Sequence, residues 1–132
     1  MLAAGQRLRH TDAFRRTVRS GRRAGGAALV VHLLDAGAEP AGSPQVGFVV
    51  GKTVGGAVVR NRVKRRLRHL VKNHMTTLPP SSTVVVRALP ATASMSSAEL
   101  EAELTRSLRR VATAPQATRA GAATGAGTRA EP

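Results

Sequence analysis

The chain has 132 residues, enough for one small domain around one modest core. It carries 21 Lys and Arg against 7 Asp and Glu, a formal charge of +14. That field draws polyanions and is too lopsided for an ordinary cytosolic enzyme. There is no cysteine, so disulfides and thiolate metal sites are excluded. The longest apolar run, residues 27–34, is interrupted by His32 and is far short of a membrane span.

The imbalance is local: residues 1–74 hold 15 basic and 3 acidic side chains. The opening stretch, MLAAGQRLRH, has no apolar core of a secretory signal, and a cytoplasmic location is expected. Thr11 reads as a helix N-cap with Asp12 in the first turn, and Gly21 ends the helix. Phe14 and Val18, four apart, share one of its faces. The Gly25-Gly26 link after Arg22 and Arg23 has room for a short extended piece.

Residues 28–34 (ALVVHLL) form a continuous apolar run and predict a strand buried on both faces. Residues 35–45 have the Pro, Gly and Ser content of a loop. Residues 46–52 (VGFVVGK) predict a second strand with Val46, Phe48 and Val50 on one face. Gly47 and Gly51 leave its other face open to close approach by another backbone or a nucleic acid strand.

Residues 58–74 (VVRNRVKRRLRHLVKNH) hold seven Arg or Lys and no acid. Val59, Val63, Leu67 and Leu70 recur at helical spacing and predict one core-facing stripe. Lys64, Arg65, Arg68, Lys72 and Asn61 gather on the opposite side, which predicts an RNA-binding face. Residues 83–86 (TVVV) predict another buried strand, continuing into Arg87. Ser96 and Glu99 make a capping box, with Met95 and Leu100 placed as a hydrophobic staple. Leu100, Leu104, Leu108 and Val111 then form the apolar face of a last helix, with Glu99 and Glu103 on an ordinary exposed face beside Arg106. From Ala112 onward the Ala, Gly, Thr and Pro content cannot supply a core, so residues 112–132 are expected to be a disordered tail behind a domain at 1–111. The element order indicates an α+β domain, one sheet covered by helices.

Protein-based catalysis finds little support. GFVVGKT, residues 47–53, has three residues between its glycines where a phosphate loop needs four, and those three are strand formers. Asp12, Asp35 and Glu39 are scattered, so no carboxylate cluster for a two-metal nuclease is visible. His69 and His74, five apart, diverge around a helix and do not make a metal pair.

The segment VGFVVGKTVGGAVVRNRVKRRLR closely resembles the protein subunit of bacterial ribonuclease P, whose hallmark is a strand, a Lys-containing turn and an Arg-Asn-Arg helix. The likeness extends to RLRHTDAFRRTVRSGRR, VVVRALPA and the last helix, and leaves only the tail outside. It implies an α-β-β-β-α-β-α fold, ribosomal protein S5 domain 2-like, with a left-handed parallel βαβ crossover. It also implies a subunit that assists a catalytic RNA in removing the 5′ leader of precursor tRNA, with Mg²⁺ held mainly by the RNA. The expected partners are the catalytic RNA and precursor tRNA, with no membrane and no small-molecule substrate.

Carried over by position, Lys52, Arg60, Asn61, Arg62, Lys64, Arg65 and Arg68 are expected on the catalytic RNA. Phe14, Arg15, Phe48 and Arg87 are expected to line a leader cleft between the first helix and the sheet. The chain departs from many relatives at Thr53, Gly56, Val18 and His32, where a Lys, an Asn and two aromatics are common. Two other classes share some of these features. A ribosomal or RNA-chaperone protein would have the same charge and small core, while a stand-alone nuclease would need the carboxylate cluster that is missing.

Overall fold

The computed structural model describes residues 11–35 and 42–114. Three helices and four strands follow in the order α1 (Thr11–Ser20), β1 (Arg22–Gly25), β2 (Leu29–Asp35), β3 (Gln45–Val50), α2 (Ala57–Val71), β4 (Ser82–Ala88) and α3 (Ser97–Thr113). This is the expected α-β-β-β-α-β-α succession, with short 3-10 turns at Lys72–Thr77 and Pro90–Ser94. Gly25 does belong to a short strand, as its place in the Gly-rich link allowed.

The strands lie side by side as β1-β2-β4-β3. β4 is antiparallel to β2 and parallel to β3, so β3, α2 and β4 form a crossover unit. Because side chains alternate along a strand, the ladder sorts residues onto two faces. Leu29, Val31 and Leu33 share one face with Val84, Val86 and Ala88, and with Val46. That face meets the apolar stripes of α2 and α3: Val63, Leu67 and Val71 from one helix, Leu100, Leu104 and Val111 from the other, all at most 1% exposed.

α1 lies on the opposite face, over β2 and β4. Two glycines allow it. A Cβ on Gly47 would clash with the ring of Phe14, so the opening anticipated there is filled from within the protein, whereas a Cβ on Gly51 would meet nothing within 4 Å. A Cβ on Gly21 would stand 2.6 Å from the carbonyl oxygens of both Thr17 and Leu33, so the turn from α1 into β1 requires a bare backbone. Thr17 faces the sheet at 0% exposure, and its hydroxyl is satisfied by donating to the carbonyl of Ala13 at 2.8 Å.

α3 opens on the anticipated capping box: Glu99 N–H donates to Ser96 Oγ at 3.1 Å, and Ser96 N–H donates to Glu99 Oε1 at 2.8 Å. It runs to Thr113, two residues past the expected tail boundary. Residues 115–132 lie outside the described residues, as does most of the expected loop at 35–45.

Glu103 differs from expectation. It is 5% exposed, not on an open face. One carboxylate oxygen accepts from the backbone N–H of Ala28 at 3.2 Å, the other from Arg106 at 2.6 Å. Burial pushes its pKa up, but the hydrogen bonds from Arg106 and from the backbone of Ala28 and Leu29 outweigh burial, leaving the pKa below the usual value. The helical period put Glu103 beside Arg106, but only the tertiary fold brings the β1–β2 turn onto it.

Candidate RNA interface

α2 divides along its length into three sides. Val63, Leu67, Leu70 and Val71 are buried against the sheet. On one flank, Arg66 donates to the carbonyl of Met95 at 3.1 Å and Arg62 to that of Ala93 at 3.5 Å. Steps of four place Arg60, Lys64, Arg68 and Lys72 in a row on the other flank. Asn61 and Arg65 stand exposed between the flanks, on the side away from the core.

The expected ribozyme contacts therefore separate into two groups. Among the described residues, the side chains of Arg60, Lys64, Arg65 and Arg68 make no hydrogen bond or ion pair with the protein. The Nε of Arg60 is enclosed and has no acceptor among the described residues. Arg62 remains exposed but is drawn toward the turn before α3. Lys52 is exposed in the tight turn after β3, where Val54 N–H donates to the Gly51 carbonyl at 3.1 Å and buried Val54 pins the turn to the core.

The start of α2 adds positive potential without any countercharge. Gly56 occupies the N-cap position with no side-chain cap, and no acid stands in the first turn. The first amides and the helix dipole thus stay unneutralised beside the cations. Val58 is 80% exposed there, an apolar side chain at the edge of the charged surface.

The residues expected in the leader cleft are not all brought together. Phe14 and Arg87 share the α1 face: Phe14 rests on Gly47, and Arg87, opposite Val30 and Val49 in the ladder, is exposed. Arg15 lies two positions from buried Thr17, which turns it to the solvent side of α1. Phe48 stands on the other face, packed against the core with Val50 and Val59. The simple alternation of β3, which grouped Phe48 with Val46 and Val50, predicts this; the carry-over by family position does not. Phe48 is partly buried, on the face of the sheet away from α1.

His32 occupies the middle of the α1 face, opposite Arg23 on one side and Val85 on the other. Burial lowers its pKa to about 4, helped by the charges of Arg23 and Arg87. The imidazole is therefore neutral at physiological pH, and its buried Nδ1 has no partner. Among the described residues no three His, Asp or Glu side chains converge on a point where a metal could sit. Nor is any described helix long and apolar enough to cross a membrane.

Similarity to known proteins agrees with this arrangement. The family model for ribonuclease P matches residues 2–112. The ribonuclease P protein component of a Nocardioides species is 55% identical over 112 residues, covering 84% of this chain and 95% of the relative. That of Beutenbergia cavernae is 56% identical over 110 residues, covering 82% and 89%. In three dimensions the chain resembles the RNase P protein of Staphylococcus aureus, with a TM-score of 0.71 at 23% identity over 83% of this chain and 96% of that one. The RNase P protein of Thermotoga maritima gives a TM-score of 0.69 at 22% identity over 80% and 96%. The structural likeness establishes the fold, and the sequence matches carry the family. The chain belongs to the ribonuclease P proteins, the protein components of the ribonucleoprotein endonuclease that matures the 5′ ends of tRNA.

Proposed function

We propose that this chain divides two RNA-binding tasks between the two faces of its sheet. The free flank of α2, with Arg60, Lys64 and Arg68 beside exposed Asn61, Arg65 and Lys52, grips the catalytic RNA subunit. The α1 face, with Phe14 and Arg87, holds the single-stranded 5′ leader of precursor tRNA. The observation that carries the reading is the row of α2 cations without protein partners, in a helix with no acid. Such cations bind phosphates at little cost, because no internal ion pair has to break first.

Among the described residues the carboxylates do not converge, so these residues do not fit a Mg²⁺ site of their own. In this reading the Mg²⁺ that serves phosphodiester hydrolysis is held by the RNA, while the protein binds and orients. With two phenylalanines in the whole chain and Phe48 on the face away from α1, leader binding rests on Arg87, Phe14 and shape more than on stacking. The cytoplasm is the compartment where such a complex meets its substrate.

Cleavage of precursor tRNA by the RNA subunit at low Mg²⁺, with and without this chain, tests the reading. Marked stimulation by the protein is expected. Absence of stimulation overturns the subunit role, and cleavage by the protein alone would place the chemistry on the chain.

A further inference from the structure

Between the 3-10 turn that follows α2 and the last turns of α3 lies a hollow of about 220 Å³. Leu33, Leu78 and Leu108 give it an apolar lining, and His74, Thr105 and Arg109 bring polar groups to it. Thr105 Oγ1 donates to the carbonyl of Glu101 at 2.9 Å, so the Nε2 of His74, 3.4 Å away, meets it as a donor. That tautomer leaves His74 Nδ1 as an acceptor. Arg109 is exposed and makes no hydrogen bond or ion pair among the described residues. Arg22, opposite Leu33 in the β1–β2 ladder, reaches the carbonyl of Ala112 at 2.7 Å and sets a second guanidinium beside two lining residues. Asp35 follows Leu33 on the same face of β2.

Arginines near a helix C-terminus commonly serve the helix dipole. That role explains Arg110, which donates to the carbonyl of Gly25 at 3.0 Å, but it does not explain an apolar hollow between Arg109 and Arg22. The volume lies below the roughly 300–1,000 Å³ of sites for drug-sized ligands and suits a single planar ring system. RNA offers such rings where a nucleotide is splayed out of its stack, with phosphates on either side. Neither phenylalanine lines this hollow, so a base held there would rest on leucines, with the two threonine- and histidine-bearing walls offering groups to its edge.

We propose that this hollow receives one unstacked nucleotide of the RNA subunit, its base against Leu33, Leu78 and Leu108 and its phosphates on Arg109 and Arg22. The inference rests on α2 being the grip on that RNA. The row Arg60, Lys64, Arg68, Lys72 ends where the 3-10 turn bearing His74 begins, so a strand following the row arrives at the hollow.

Photocrosslinking of the full chain bound to its RNA subunit tests the proposal, with p-benzoylphenylalanine replacing Ala112 in one variant and Arg65 in another. Both are exposed, and circular dichroism verifies folding. Crosslinks from both sites are expected, that from 112 falling on an unpaired nucleotide. A crosslink from 65 without one from 112, or one from 112 only to base-paired nucleotides, overturns the hollow and leaves the α2 grip standing. A crosslink from 112 alone supports the hollow and overturns the α2 reading, and silence from both overturns the two together. Independently, Arg109→Ala should weaken RNA binding about fivefold and lower the log–log salt slope by about 0.7–0.9, the change expected for one phosphate contact. Unchanged affinity and slope would overturn the assignment of Arg109.

Discussion

α2 and α3 lie side by side on the same face of the sheet, both rich in arginine, and use that charge in opposite ways. α3 begins with a full capping box, and two of its arginines find acceptors within the protein: Arg106 pairs with Glu103, and Arg110 binds the carbonyl of Gly25. α2 has no acid and no side-chain cap, and Arg60, Lys64, Arg65 and Arg68 meet no partner in the described protein. The apolar stripes of the two helices are equally buried, so the contrast is not one of packing. An arginine count alone does not locate an interface. The distinction lies in which cations find internal acceptors: Arg62 and Arg66 on α2 and Arg106 and Arg110 on α3 do, while the row Arg60, Lys64 and Arg68 does not.

The packing half of that comparison carries the largest expected effect. Leu67 on α2 and Leu104 on α3 are both 0% exposed, so Leu→Ala at either should cost about 3 kcal/mol in urea unfolding. A much smaller loss on α2 would mean that its stripe is not core.

The charges should then separate the helices. Replacing Arg60, Lys64 and Arg68 together with Ala should leave stability within about 0.5 kcal/mol, while affinity for the RNA subunit falls about a hundredfold at moderate salt. Glu103→Ala should do the reverse, costing about 2 kcal/mol by stranding the Ala28 amide, with RNA affinity little changed in the folded fraction. If both variants changed the same quantity, the division between the helices would be lost.

A third test uses the opposite face of the sheet. His32 stays neutral in the fold down to about pH 4 but takes up a proton near pH 6.5 once unfolded. The unfolded state then binds more protons between those values, so the contribution is complete above pH 6.5 and is lost as pH falls toward 4, up to about 3 kcal/mol. His32→Leu should flatten that part of the stability–pH curve. A curve of unchanged shape would show that another group governs it.

The smallest effect concerns the helix starts. Ser96→Ala on α3 should cost about 1 kcal/mol. Gly56→Asp on α2 should add a few tenths of a kcal/mol yet weaken RNA binding, since an acid would neutralise the helix start. Tighter RNA binding by Gly56→Asp would place the start of α2 away from phosphate.

Much of this was legible before folding because it is local. The phase of Val63, Leu67 and Leu70, the Ser96–Glu99 box and the alternation of Val46, Phe48 and Val50 depend on residues within a turn or two. The burial of Glu103 was not legible, because its acceptors serve an amide 75 residues away. The contact of Phe14 with Gly47 was half legible: the missing side chain was visible, but not what filled the space. Family position puts Arg62 and Arg65 on the same partner, although the helical period sets only Arg65 squarely opposite the apolar stripe. The turn before α3 adds a contact that only Arg62 makes.

The place of β4 in the sheet has a consequence for how the chain comes off the ribosome. β2 and β3 do not pair with each other; both pair with β4, which is made after α2. Until residues 82–88 have emerged, α2 has no completed surface on which to set its apolar stripe, and its cations have no fixed bearing. Closing that long-range pairing is the slow, non-local step of a fold of this kind. A nascent chain thus cannot present the cations of α2 on a finished sheet until β4 is in place.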